Sequence, residues 1–269
     1  MSLDGRPSEK TSISVIHAAL DAGVTLIDTA DVYCVDDDDI GHNERLIAKA
    51  LELWPGSLES VVVATKGGLT RPQGRWERDG RPEHLKSACE KSLRALGVDC
   101  IDLYQFHAPD LNVPFDESIG ALAELQQAGK IRWIGLSNVS VEEIQEAESA
   151  VEVVSVQNRL SPYFREALGN GVVDYCGRQG IGFLAYSPVG GGRLNKRLPE
   201  HATVARIAEK RGVSAHAVVI AWVLAQGPSV IPIPGARSVG HVLDSVGAAS
   251  LDLSYDDLEE ISRANFPTN

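Results

Sequence analysis

Four side chains, Asp28, Tyr33, Lys66 and His107, could run one reaction if a fold brought them together. A phenol titrates near ~10 when unperturbed and is a poor proton donor to a weakly basic carbonyl unless its phenolate is stabilised. An ammonium at Lys66, beside Tyr33, would supply that stabilisation. Asp28 would pair with Lys66, keeping it charged and in position, and His107 could hydrogen-bond a substrate oxygen. This set suits proton donation to a carbonyl oxygen while a hydride attacks its carbon. No side chain supplies a hydride, so the chemistry implies a nicotinamide cofactor. Each residue also has a plainer role when taken alone. Asp28 and Thr29 could cap a turn, and His107 could be a satisfied core histidine.

The elements that would position these residues alternate along the chain. β-type runs occupy 24–28, 60–66, 100–107, 131–137, 151–157, 181–186 and 229–233. Helical patterns fall at 13–20, 43–54, 82–97, 115–129, 141–150 and 164–180, with two more at 204–212 and 215–227. Several helical runs end at Gly shortly before a strand, the expected left-handed stop. Near-continuous apolar strands alternating with helices predict a parallel sheet covered on both faces. No G-x-G-x-x-G follows the first strand, which argues against a doubly wound dinucleotide fold. Polar residues recur at strand ends instead: Asp28, Lys66, His107, Ser137 with Asn138, Gln157 and Tyr186. In a barrel those ends share one rim, where such folds place their sites. The expectation is an α/β chain of (β/α)8 TIM-barrel type, open and incomplete with seven recognisable strands, forming a single domain over 1–269.

Bulk properties exclude some partners. The 269 residues carry a formal net charge of -12, which offers nothing to offset phosphate repulsion, so no nucleic-acid partner is expected. An anionic ligand would need local Lys, Arg or backbone N–H groups. No apolar run is long enough for a bilayer, and the four cysteines lack a C-x-x-C pair. Both features lead us to expect a cytoplasmic protein with free thiols and no membrane partner. Cys34, next to Tyr33, reads as a bystander. No metal site is expected: the acidic run 36–39 lacks a calcium-loop spacing, and Gly41 or Asn43 starts a helix.

The ordered segments GVTLIDTADVY, GHNERLIAKAL, VVVATKGG, LRALGVDCIDLYQFHAPD, GKIRWIGLSN, QNRLSP, AYSPVGGG and VIPIPGARS together resemble the aldo-keto reductase family, from about residue 11 to about residue 263. The resemblance implies a catalytic tetrad of Asp28, Tyr33, Lys66 and His107, with Tyr33 as general acid. It implies that Ser137, Asn138 and Gln157 hydrogen-bond the nicotinamide carboxamide and that Tyr186 stacks on the ring. Ser187, Pro188, Val189 and Gly190 match the loop along the pyrophosphate. Gly235, Ala236 and Arg237 match the adenosine-phosphate segment, with His241 close by. Arg237 favours NADPH over NADH, although many members carry Lys-Ser where this chain has Gly235-Ala236. The implied activity is hydride transfer between NADPH and the carbonyl of a small aldehyde or ketone. The alternatives are an NADP-binding sensor or regulatory subunit and an inactive truncated reductase. In the family a hairpin and a first strand precede the helix matched by ISVIHAAL, and residues 1–10 are too short and polar to supply them. The expected result is an exposed barrel edge, open to pairing with a second copy, and weakened activity. The stretch 68–84 is either a substrate-side lid, with Trp76 as a wall, or a surface loop.

Overall fold

The computed structural model describes residues 6–268; residues 1–5, part of the segment read as too short for a first strand, lie outside it. The chain divides into two compact units, Met1–Val156 with Arg237–Val239, and Gln157–Ala236 with Gly240–Asn269.

In the first unit the strands are β1 (Leu26–Asp28), β2 (Val62–Gly67), β3 (Leu69–Thr70), β4 (Glu77–Arg78), β5 (Ile101–Phe106) and β6 (Ile131–Ser137). β1 pairs with β2, β2 with β5 and β5 with β6, all in parallel. The register sets Asp28 beside Ala64 and Lys66 beside Gln105, so functional strand ends line up across neighbours. Helices cover the strands for local reasons. Ser8 caps Glu9–Asp21 by accepting the Thr11 N–H, and Pro82 opens Pro82–Leu96 where its missing N–H is harmless. That second helix stops at Gly97, whose φ of 70° is left-handed. Apolar faces of Glu9–Asp21 and His42–Leu53 meet in a cluster of Ile16, Leu20, Leu46, Ile47 and Ala50. Burying such side chains stabilises by about 1.5–3 kcal/mol each relative to exposure.

β7 (Val153–Arg159) carries the chain from the first unit into the second, which holds β8 (Gly182–Tyr186) and β9 (Val230–Ile233), a parallel pair. The sheet order is β1-β2-β5-β6-β7-β8-β9, so the seven strands expected from the sequence are present and follow the chain. Helix Ala215–Leu224 is apolar nearly all round and packs its Trp222 fully inside, as its pattern predicts. Among the described residues no helix is long and apolar enough to cross a membrane.

Besides shifts of a residue or two at strand ends, three features differ from the sequence reading. The run 164–180 is two helices, Glu166–Gly169 and Val172–Gln179, because Gly171 sits at φ 81° and breaks it. Helices Val239–Gly247 and Tyr255–Arg263 follow β9, where no helical pattern was singled out. The stretch 68–84 contains the antiparallel β3–β4 hairpin, so it is neither a bare loop nor featureless.

Candidate active site

The site is built where β1, β2 and β5 end. Beyond Asp28 the chain stays tied to β2, with Thr29 N–H bonded to the Ala64 carbonyl at 2.8 Å. Two tight turns follow, Tyr33 N–H to the Ala30 carbonyl at 3.2 Å and Cys34 N–H to the Val32 carbonyl at 2.9 Å. They bring the Tyr33 phenol back over the end of β2. Ala30 and Val32 are fully buried beneath this turn and fix its height.

Lys66 is completely buried. Its Nζ donates to Asp28 Oδ2 at 2.6 Å, to the Thr29 carbonyl at 2.7 Å and to the Tyr33 hydroxyl at 3.2 Å. An ammonium has three hydrogens, and these three acceptors use all of them. Burial pushes the Lys66 pKa down, but the Asp28 charge and then Tyr33 outweigh it, and the net shift is upward. Lys66 therefore stays an ammonium with Tyr33 against it, Nζ standing 4.8 Å from the phenol's ring centroid.

His107 follows β5, its N–H bonded to the Gly67 carbonyl at 2.9 Å. Its ring meets that of Tyr33 edge-on with centroids 5.8 Å apart. Burial, and secondarily the Lys66 charge, hold its pKa well below 6.5, so the imidazole is neutral. Its Nδ1 is buried without a hydrogen-bond partner among the described residues. All four predicted tetrad residues thus converge within the first unit.

Gln105 belongs to this group and was not singled out from the sequence. It is fully buried, and its Nε2 donates to Asp28 Oδ1 at 3.1 Å, so both Asp28 oxygens are engaged. The available signal was a lone amide inside the apolar run CIDLYQFH, two residues before the histidine. Behind the site, Glu44 is fully buried and accepts from the Thr65 hydroxyl at 2.6 Å, and Asn43 donates to the Thr29 hydroxyl at 2.8 Å. Burial, and then the Glu44 charge, raise the Asp31 carboxyl well above its usual range. Cys34 is buried, its thiol pushed up to about 11 chiefly by desolvation, which fits a bystander.

The predicted cofactor residues are distributed over both units. In the first, Ser137 is buried at the end of β6, Asn138 is exposed, and Arg237 is exposed. Ser140 caps the next helix with a full capping box shared with Glu143, which frees Ser137 and Asn138 from that duty. Asn138 Nδ2 donates instead to the His107 carbonyl at 3.0 Å and to Ser137 Oγ at 3.1 Å. In the second unit, Gln157 is buried on β7 and Tyr186 ends β8 half-buried, with the Arg159 guanidinium 5.5 Å from its ring centroid. Pro188 is buried in the loop Ser187–Pro188–Val189–Gly190, which is closed by the Gly190 N–H on the Ser187 carbonyl at 2.8 Å. Gly235 and His241 are exposed and Ala236 is half-buried.

Among the described residues, three other than Gly take a positive φ: Gln73 at 51°, Asn138 at 59° and Ser187 at 51°. Two of the three are positions at which a cofactor contact was expected. Strained backbone of this kind collects at ligand clamps. Within the first unit, Ser137 and Asn138 offer a hydroxyl and an amide of the kind a carboxamide can bond; within the second, Gln157 offers an amide and Tyr186 an aromatic face.

Comparison with known proteins places nearly the whole chain in one family. Residues 1–265 match the Aldo/keto reductase family. The "Probable aldo-keto reductase 1" of Glycine max is 34% identical over 283 residues, spanning 95% of this chain and 80% of that protein. The solved glycerol dehydrogenase of Gluconobacter oxydans is 31% identical with a TM-score of 0.82, over 98% of this chain and 90% of its own. An aldo-keto reductase from Klebsiella pneumoniae, solved in complex with NADPH, is 26% identical with a TM-score of 0.79, over 95% of this chain and 84% of its own. The α/β barrel-type fold of these enzymes is therefore the fold of this chain. With the match running nearly end to end, the chain belongs to the aldo/keto reductase family of oxidoreductases.

Proposed function

We propose that the protein reduces the carbonyl of a small aldehyde or ketone with NADPH, Tyr33 giving the proton. The observation that carries this reading is the Lys66 ammonium donating to the Tyr33 hydroxyl at 3.2 Å while Asp28 and the Thr29 carbonyl hold its other two hydrogens. The phenol oxygen accepts from Lys66, and the proton it would give to a substrate oxygen is its own O–H. As that proton leaves, the phenolate forms against a fixed positive charge in a water-poor setting, where the interaction is strong. The neutral His107 can donate one hydrogen bond to the same substrate oxygen and so orient the carbonyl. Asp28 keeps Lys66 charged, and Gln105 keeps Asp28 from turning.

When bound, NADPH supplies the hydride. Ser137, Asn138 and Gln157 would hold its carboxamide and Tyr186 its ring. Ser187, Pro188, Val189 and Gly190 would line its pyrophosphate. Gly235, Ala236 and Arg237, with His241, would take the adenosine phosphate, and Arg237 would prefer NADPH to NADH. The Klebsiella relative solved with NADPH supports this cofactor. The test is loss of reduced-nicotinamide absorbance with a panel of aldehydes. Turnover that requires Tyr33 supports the reading; NADPH binding without any turnover would favour a sensor or regulatory subunit instead.

A further inference from the structure

We infer that Arg71 recognises a carboxylate on the carbonyl substrate, with Trp76 as its movable cover. The inference rests on the reductase reading above and names the substrate class of that site. Arg71 stands in the hairpin segment after β3 and is only 5% exposed. One guanidinium nitrogen, Nη2, donates to the Val35 carbonyl at 2.8 Å, two residues beyond the tetrad tyrosine. Its Nε and Nη1 are buried with no hydrogen-bond partner among the described residues. A buried guanidinium whose donors lack acceptors is costly and calls for an anion.

Its surroundings place that demand beside the reacting centre. The indole of Trp76 lies 4.0 Å from the guanidinium carbon, and its other neighbour is the His107 ring, with centroids 6.4 Å apart. Trp76 is 49% exposed and sits in a hairpin only two residue pairs long, Leu69 with Arg78 and Thr70 with Glu77. With that much of its surface in solvent, the indole can turn aside without opening a packed core. A substrate whose carbonyl meets Tyr33 and His107 would then reach Arg71 with its far end. The other hairpin cations are exposed to water, Arg75 bonding Glu77 at 3.1 Å and Arg78 the Pro109 carbonyl at 2.9 Å, so neither carries the same unmet demand. A single buried guanidinium with two unmet donor nitrogens suits a monoanionic carboxylate better than a phosphate dianion. The acidic run lies close, Asp37 accepting the Gln73 N–H at 3.4 Å, yet among the described residues no carboxylate accepts from Arg71. The charge is thus left for a ligand.

The test uses the full chain with NADPH and two matched aldehydes, 4-carboxybenzaldehyde and benzaldehyde. The ratio of their kcat/KM values should favour the carboxylate by about tenfold or more, as a charge-assisted bond implies. Arg71→Gln should bring the ratio towards one. Arg71→Lys, which keeps the charge and tolerates the fold, should give an intermediate ratio. A ratio near one in the unaltered chain, or one that neither variant moves, overturns the proposal and leaves the reductase reading standing. If neither aldehyde turns over, the reductase reading fails and Arg71 is judged by binding. Benzoate, but not benzamide, should then quench tryptophan emission saturably, and the response should vanish in Arg71→Gln and in Trp76→Phe. Absence of that quenching overturns the proposal.

Discussion

Lys66 gives each of its three hydrogens to a different acceptor, and Tyr33 is the weakest held of them at 3.2 Å. The Lys66–Tyr33 bond is thus the longest of the three, 3.2 Å against 2.6 and 2.7 Å. Tyr33→Phe removes the transferable proton and keeps the ring, so kcat should fall by about 10²–10⁴ while NADPH affinity barely changes. Retained turnover would remove Tyr33 from its role. His107 makes a separate statement about pH. Its folded pKa is depressed well below 6.5, chiefly by burial, so the unfolded chain binds the proton first as pH falls. The stabilisation is full above pH 6.5 and is lost progressively as pH falls from there towards the folded pKa. In His107→Gln that part of the acid decline should be missing. Thermal unfolding of both chains from pH 7.5 to pH 5 checks it: parallel curves would mean the imidazole is not held neutral.

At the scale of elements, β2 and β5 approach closely at one glycine. A Cβ on Gly67 would lie 2.0 Å from the Tyr104 hydroxyl, which no rotamer of a fully buried tyrosine relieves cheaply. Gly67→Ala should destabilise by about 1–3 kcal/mol, read from the urea midpoint. Adding Tyr104→Phe should recover part of that loss, and an additive pair would refute the clash. Such pairings explain what the sequence disclosed. All seven sheet strands were legible because β-branched runs such as VVVATK and a polar strand end are local signals. β6 was read at its observed bounds, Ile131–Ser137, but β1 begins two residues later than its apolar pattern, at Leu26. Gln105 escaped because its meaning depends on Asp28, which the register brings across β2 and β5 and which no local pattern encodes. The β3–β4 hairpin escaped for a similar reason: two-residue strands carry no periodicity, and Arg71 acquires its place only through the distant Val35 carbonyl.

Across the whole molecule, the fold was readable from the β–α alternation, and the family from motifs that each end a strand. The cofactor residues were readable only through that likeness, since nothing local in Arg237 or Tyr186 names a nucleotide. Their test is thermodynamic. A ligand that binds only the native state at a hundred times its Kd stabilises it by about 2.7 kcal/mol. NADPH should therefore raise Tm clearly in the unaltered chain. Arg237→Ala should shrink that rise for NADPH far more than for NADH, and equal shrinkage would refute a 2′-phosphate contact. The Thr29 carbonyl that receives Lys66 is main chain, so no substitution can delete it. A lineage that abandons the reaction can change Tyr33 and still keep its buried lysine anchored by Asp28 and this carbonyl. In sorting working enzymes from descendants that only bind nucleotide, the lysine and its carboxylate are then the poorer witnesses, and the phenol is the better one.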